Sequence, residues 1–169
     1  WLLDLGDTQA APRKLTGSTG NNDTPRWSAD GKSLYFSSTR SGSAQIWRLD
    51  MIGGEAQQIT DLPLDVNAFV LSPNGKHIAL SMEVFADCTD LASTKKRLDE
   101  LGERKSTGTV YTRLFVRHWD RWSNGTRAQL FVADLNDGGI VSAEPKRVSL
   151  GIDGDVPGKP FGDDSEFSW

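Results

Sequence analysis

At 169 residues the chain is long enough for one ordinary domain with a sizeable core, and its net charge is −4. That acidic balance gives no electrostatic footprint for nucleic acid or an anionic membrane, and apolar runs such as Ala68-Phe69-Val70-Leu71 are far too short to span a bilayer. Six Trp, seven Phe and 17 Gly suit short aromatic-bearing strands joined by tight turns, and the single Cys88 has no disulfide partner within the chain.

In chain order, Trp1-Leu2-Leu3-Asp4 and Leu15-Thr16 read as two strands ending a unit over residues 1–23. A second unit spans residues 24–60. Its strands are expected at Thr24–Ser28, Ser33–Ser38, Gln45–Met51 and Glu55–Thr60. Asp30-Gly31 supplies the positive φ of a tight hairpin, and Leu34 and Phe36 alternate with Ser33, Tyr35 and Ser37 across the second strand.

Then the pattern returns. Trp27-Ser28-Ala29-Asp30-Gly31-Lys32 recurs 44 residues on as Leu71-Ser72-Pro73-Asn74-Gly75-Lys76, and Leu15-Thr16 recurs as Ile59-Thr60. A third unit over residues 66–150 therefore has strands expected at Val66–Ser72, His77–Val84, Ala128–Leu135 and Lys146–Leu150, interrupted by an insertion over residues 85–127. Glu166–Trp169 reads as the first strand of a fourth unit. Four short strands repeating about every 40–45 residues predict an all-β fold, a partial β-propeller with a short helical insertion. Two complete blades and parts of two more leave open edges, so the chain is expected to be a piece of something larger or to pair with other copies.

Within the insertion, Thr89–Glu103 is expected to be a helix with Leu91, Leu98 and Leu101 near one face. Asp87 or Thr89 is its candidate cap, Gly102 its stop, and Lys96 with Glu100 an i,i+4 pair. Residues 111–122 then gather four aromatics, three Arg, a His and an Asp. Arg117, His118 and Asp120 can read the polar end of a peptide, since Arg pairs with carboxylates or stacks on Trp and an Asp orients a His. Alternatively, this is an amphipathic strand whose Arg117 and Asp120 brace the loop. Glu83, where the insertion leaves the blade, is a carboxylate able to hold an α-amino group; the alternative is an exposed strand-end acid.

Asp153, Asp155, Gly158 and Asp164 imitate part of a calcium loop, but Pro157 stands at its fifth position and no helices flank it, so it reads as an acidic loop. No phosphate loop, zinc spacing or Gly-x-Ser-x-Gly elbow is present, and His77 and His118 form no evident triad. No catalytic residue, cofactor or metal site is therefore assigned.

The segment Trp27–Ser38 followed by Gln45-Ile46-Trp47-Arg48-Leu49 resembles the TolB-type, WD40-like propeller repeat, with Ala29 for its usual Pro and Asn74 for Asp in the second copy. Two groups share that repeat: the TolB scaffold and the N-terminal propeller of prolyl-oligopeptidase-family serine peptidases. Val116-Arg117-His118-Trp119-Asp120 resembles a segment of dipeptidyl-peptidase V-like and acylaminoacyl-peptidase-like members, and Ser81–Phe85 followed by Asp87-Cys88 strengthens the likeness. The resemblance implies a propeller that gates short peptides for a separate C-terminal α/β-hydrolase domain bearing a Ser-Asp-His triad, none of it in these residues. The implied partners are peptide substrate, the hydrolase domain of the same parent chain and other copies of the protein, without nucleic acid or membrane. A periplasmic or secreted setting is favoured over a cytoplasmic one. The alternatives are a non-enzymatic TolB-like scaffold binding protein partners and a free-standing carbohydrate- or peptide-binding propeller.

Overall fold

A computed structural model describes residues 1–17, 20–112, 114, 116–118, 121–159 and 161–169, with the side chains of His118 and Arg121 outside the description. Strands β1 (Asn22–Trp27), β2 (Ser33–Ser38), β3 (Gln45–Asp50) and β4 (Gln57–Gln58) form one antiparallel sheet in sequence order. Strands β5 (Val66–Leu71), β6 (His77–Phe85), β9 (Thr126–Asp134) and β10 (Lys146–Arg147) form a second sheet of the same meander order. Helix α1 (Leu91–Gly102) and the small hairpin of β7 (Arg117–His118) and β8 (Arg121–Trp122) lie between β6 and β9. These are the two four-stranded units expected from the repeat, and no helix among the described residues is long and apolar enough to cross a membrane.

The echo is geometric as well as textual. In the first turn Ser28 Oγ donates to Asp30 Oδ1 (2.7 Å) and accepts from the Ser33 amide (2.9 Å), while Asp30 Oδ1 takes the Lys32 amide (3.1 Å). In the second, Ser72 Oγ bonds Asn74 Oδ1 (2.7 Å) and the His77 amide (2.9 Å), and Asn74 Oδ1 takes the Lys76 amide (3.0 Å). Gly31 and Gly75 close the turns at φ 69° and 68°, in the left-handed region open to glycine. Asn thus replaces Asp without changing the turn's bonds. In the first copy the Ser28 hydroxyl, then the Lys32 amide, holds the Asp30 carboxyl below its usual range.

One core joins the sheets. Tyr35, Ile46 and Ile59 from the first meet Phe69, Ile78, Leu80 and Met82 from the second. The alternation of β2 survives, but both of its faces are covered: Tyr35 faces this core, while buried Phe36 lies beneath the Arg40 guanidinium, 5.2 Å from its ring centre. The turn after β9 also closes on the first sheet, where Arg48 donates to the Gly138 carbonyl. Gly139, at φ 72°, has the Tyr35 hydroxyl and Arg48 Nη1 each 2.6 Å from where a Cβ would stand.

The ladder of β6 with β9 runs unbroken from His77–Asp134 to Phe85–Thr126. The residues between these strands, 86–125, thus grow from an extended hairpin. Asp90 caps α1, accepting from the Ser93 amide at 2.6 Å; Asp87 instead takes Arg97 Nη1 between its two oxygens, at 2.9 Å to each. Gly102 is the helix's last residue and Glu103 its cap, with the Glu103 amide donating to the Asp99 carbonyl. The near i,i+4 pair is Lys95–Asp99 at 2.6 Å, with Lys96–Glu100 longer at 3.9 Å.

Two terminal expectations change. Near the start, Leu2 and Arg13 form a single antiparallel bridge rather than strands. Near the end, Glu166 closes a 3-10 turn (Asp164–Glu166) instead of opening a strand. A strand needs a ladder neighbour, whereas Trp169 approaches β5 by its side chain: its Nε1 donates to the Val70 carbonyl (3.2 Å) and its ring lies 5.8 Å from His77.

Candidate functional site

Glu83 is the first residue of the part of the β6–β9 ladder that exceeds the β2–β3 hairpin, opposite Ala128. Its two oxygens have different partners. Oε2 accepts from the Thr126 hydroxyl at 2.6 Å, and Oε1 lies 2.9 Å from the Lys159 ammonium. Lys159 also lies 3.3 Å from Asp155, whose Oδ1 accepts the Ala128 amide at 2.7 Å. Glu83 and Lys159 are each about a third exposed at the side chain (35 and 39%), so this ion pair is open to water. A partly exposed carboxylate braced by a hydroxyl and already seated on a primary ammonium can hold another primary ammonium in the same place.

Arg117 opens the small hairpin, paired in register with Trp122. Its guanidinium lies 5.4 Å over the Trp122 ring, and Tyr111 stacks on that ring at 6.0 Å. His118 pairs with Arg121 across the hairpin through the backbone; its side chain, and Asp120 entirely, lie outside the described residues. Among the described residues no hydrogen bond or ion pair joins Glu83 to Arg117.

Sequence reading missed Lys159, Thr126 and Asp155. A signal existed for Asp155. Asp65 accepts the Ala44 amide (2.9 Å) as Asp155 accepts the Ala128 amide, and Val66 and Val156 donate to the carbonyls of Ala44 and Ala128, both at 2.8 Å. The Asp-Val pair is thus repeated, at a spacing stretched by the insertion. The acidic loop divides its acids: Asp153 meets Arg127 (3.4 Å), Asp155 meets Lys159, and Asp164 pairs with Arg26. No group of three or more metal-ligating side chains occurs among the described residues. Cys88 is free and half-buried.

Two successive four-stranded meanders, packed face to face and repeating the same turn, are blades of a partial β-propeller, the second carrying an insertion. The family model for the TolB beta propeller domain matches residues 1–103. The chain belongs to that family.

It is 30% identical over 157 residues to dipeptidyl-peptidase 5 of Porphyromonas gingivalis, covering 93% of this chain and 22% of that protein. It is 29% identical over 167 residues to dipeptidyl-peptidase 5 of Porphyromonas endodontalis, covering 99% of this chain and 23% of that protein. The chain thus spans under a quarter of the length of these relatives. Among solved structures, TolB from Acinetobacter baumannii shares the fold, with a TM-score of 0.51 and 20% identity over 90% of this chain and 27% of that one.

Proposed function

We propose that this chain is the non-catalytic propeller portion of a serine exopeptidase of dipeptidyl- or acylaminoacyl-peptidase type. It gates and helps bind short peptides for a separate α/β-hydrolase domain. Residues 24–60 and 66–150 are its two complete blades, with residues 1–23 and 166–169 belonging to flanking ones. One observation carries the reading. The likeness to dipeptidyl-peptidase 5, at 30% identity, spans 93% of the chain and so crosses the whole insertion into β9, whereas the TolB model stops at residue 103, within it.

In this reading Glu83 holds the peptide's amino end, in the place where Lys159 now sits, and Arg117, His118 and Asp120 contact the peptide beyond it. The test is Glu83→Ala and Glu83→Gln in the full-length protein, assayed on one peptide with its amino end free and N-acetylated. A charge-assisted contact of about 1.5–3 kcal/mol predicts a loss in kcat/KM of about tenfold to a hundredfold on the free-amino peptide. Rates on the acetylated peptide should stay within about twofold. Glu83→Gln, which can keep the Thr126 bond, separates charge from folding. Equal losses on both peptides would remove Glu83 from amino-end recognition.

A further inference from the structure

Residues 104–122 hold four Arg and one Lys against one Asp. A chain of net charge −4 therefore concentrates +4 on this arm and leaves −8 on everything else. Arg104 and Lys105 are exposed, and a helix C-terminus favours cations nearby. That does not account for Arg117, well beyond the helix and exposed. Its guanidinium lies over the Trp122 ring, 5.4 Å from the ring centre, and a guanidinium in cation–π contact with a ring face can still pair with carboxylates. No carboxylate pairs with Arg104, Lys105 or Arg117 among the described residues. The same arm exposes Val110 and Leu114 almost completely (89 and 88%), and Trp122 by 62%. Exposed Arg and Trp on one segment are the residue types enriched at interface centres, and exposed Val and Leu add apolar area to bury.

The opposite chemistry lies in a groove of about 590 Å³ between the blades. Its walls come from residues 58–63, the start of α1 and residues 140–144. Ile59, Leu62, Leu91 and Val141 give it an apolar floor, and Asp61 and Glu144 are exposed carboxylates at its margin. Neither acid has a salt-bridge partner among the described residues. No residue of the arm lines the groove in its own copy.

We infer that the groove receives the arm of a second copy of this chain, Val110 and Leu114 on its apolar floor and Arg104 and Lys105 against Asp61 and Glu144. Reciprocal exchange makes the contact twice and closes it as a two-fold dimer rather than an open filament. The groove lies between the two described blades, so neither neighbouring blades nor a hydrolase domain is needed to form it. The inference is thus independent of the peptidase reading.

The test is the mass of the full-length protein by sedimentation at about 20 mM and about 0.5 M salt, because exposed charge pairs weaken as ionic strength rises. A dimer is expected whose Kd rises at least tenfold in high salt and at least tenfold with Arg104→Glu/Lys105→Glu. The complementary change Asp61→Lys/Glu144→Lys should weaken it similarly on its own and restore it when the two sets are combined. A monomer at all concentrations overturns the proposal. So does a dimer indifferent to both charge reversals, or one not rescued by combining them. Because neither set touches Glu83 or Arg117, loss of dimer with peptide hydrolysis intact separates this inference from the proposed activity.

Discussion

Replacing Gln45 by Leu in the full-length protein is expected to lower the stability of the propeller by about 3–5 kcal/mol. Gln45 is 1% exposed, at the start of β3. Its amide nitrogen donates to the carbonyls of Leu62 (3.1 Å) and Leu64 (3.0 Å), and its oxygen accepts from the Thr60 hydroxyl (2.7 Å) and the Leu62 amide (3.1 Å). Those partners belong to the linker between the blades, where no ladder can satisfy them. Leu fills nearly the same volume, so the loss comes from buried polar groups left without partners rather than from a cavity. Urea unfolding followed by Trp fluorescence should show a lower midpoint with an unchanged slope. Gln57→Leu, on the exposed edge strand, should change the stability by less than about 0.5 kcal/mol. A Gln45 variant no worse than that control would mean that the linker is held by other means.

Phe69→Ala is expected to cost about 3–5 kcal/mol and Phe69→Leu about 1–1.5 kcal/mol. Phe69 is wholly buried on β5, beside Leu80 in the ladder, and belongs to the core that joins the sheets. Ala removes the ring and leaves a cavity walled by two sheets, each stiffened by its own ladder, so collapse recovers little of the loss. Ile52→Ala, at a turn residue 98% exposed, is the matched control and should be near neutral. A Phe69→Ala protein as stable as this control would show that the two sheets do not share a core.

How much of this was legible in the sequence depended on whether the cause was local. The tight turns were, because the Ser, Asp or Asn and Gly that build them lie within six residues and recur at one spacing. Strand β2 starts where alternation starts for the same reason. The Gln45–Thr60 clip recurs as Gln129–Ser149, with Gln129 donating to the carbonyls of Ile152 and Gly154 and the Ser149 hydroxyl donating to Gln129 Oε1 at 2.6 Å. Its members are shifted by 84 and 89 residues, so no single period reveals it. Lys159 and Glu83 meet across 76 residues of sequence, a pairing that only the packed linker brings about. The final segment misled because Trp169 stands after Ser168 as Trp27 stands before Ser28, echoing the aromatic without the strand. Arg117 was legible as a residue type, and its seat on Trp122 required the hairpin that folds residue 122 back beside it.

The central claim is that this propeller serves a serine peptidase. Treating the full-length folded protein with a fluorophosphonate probe tests it directly, because such probes label only a serine activated by a neighbouring base. The account predicts stoichiometric labelling of one serine outside these 169 residues, blocked by competing peptide. A folded protein left unlabelled would contradict it and favour a scaffold of TolB type.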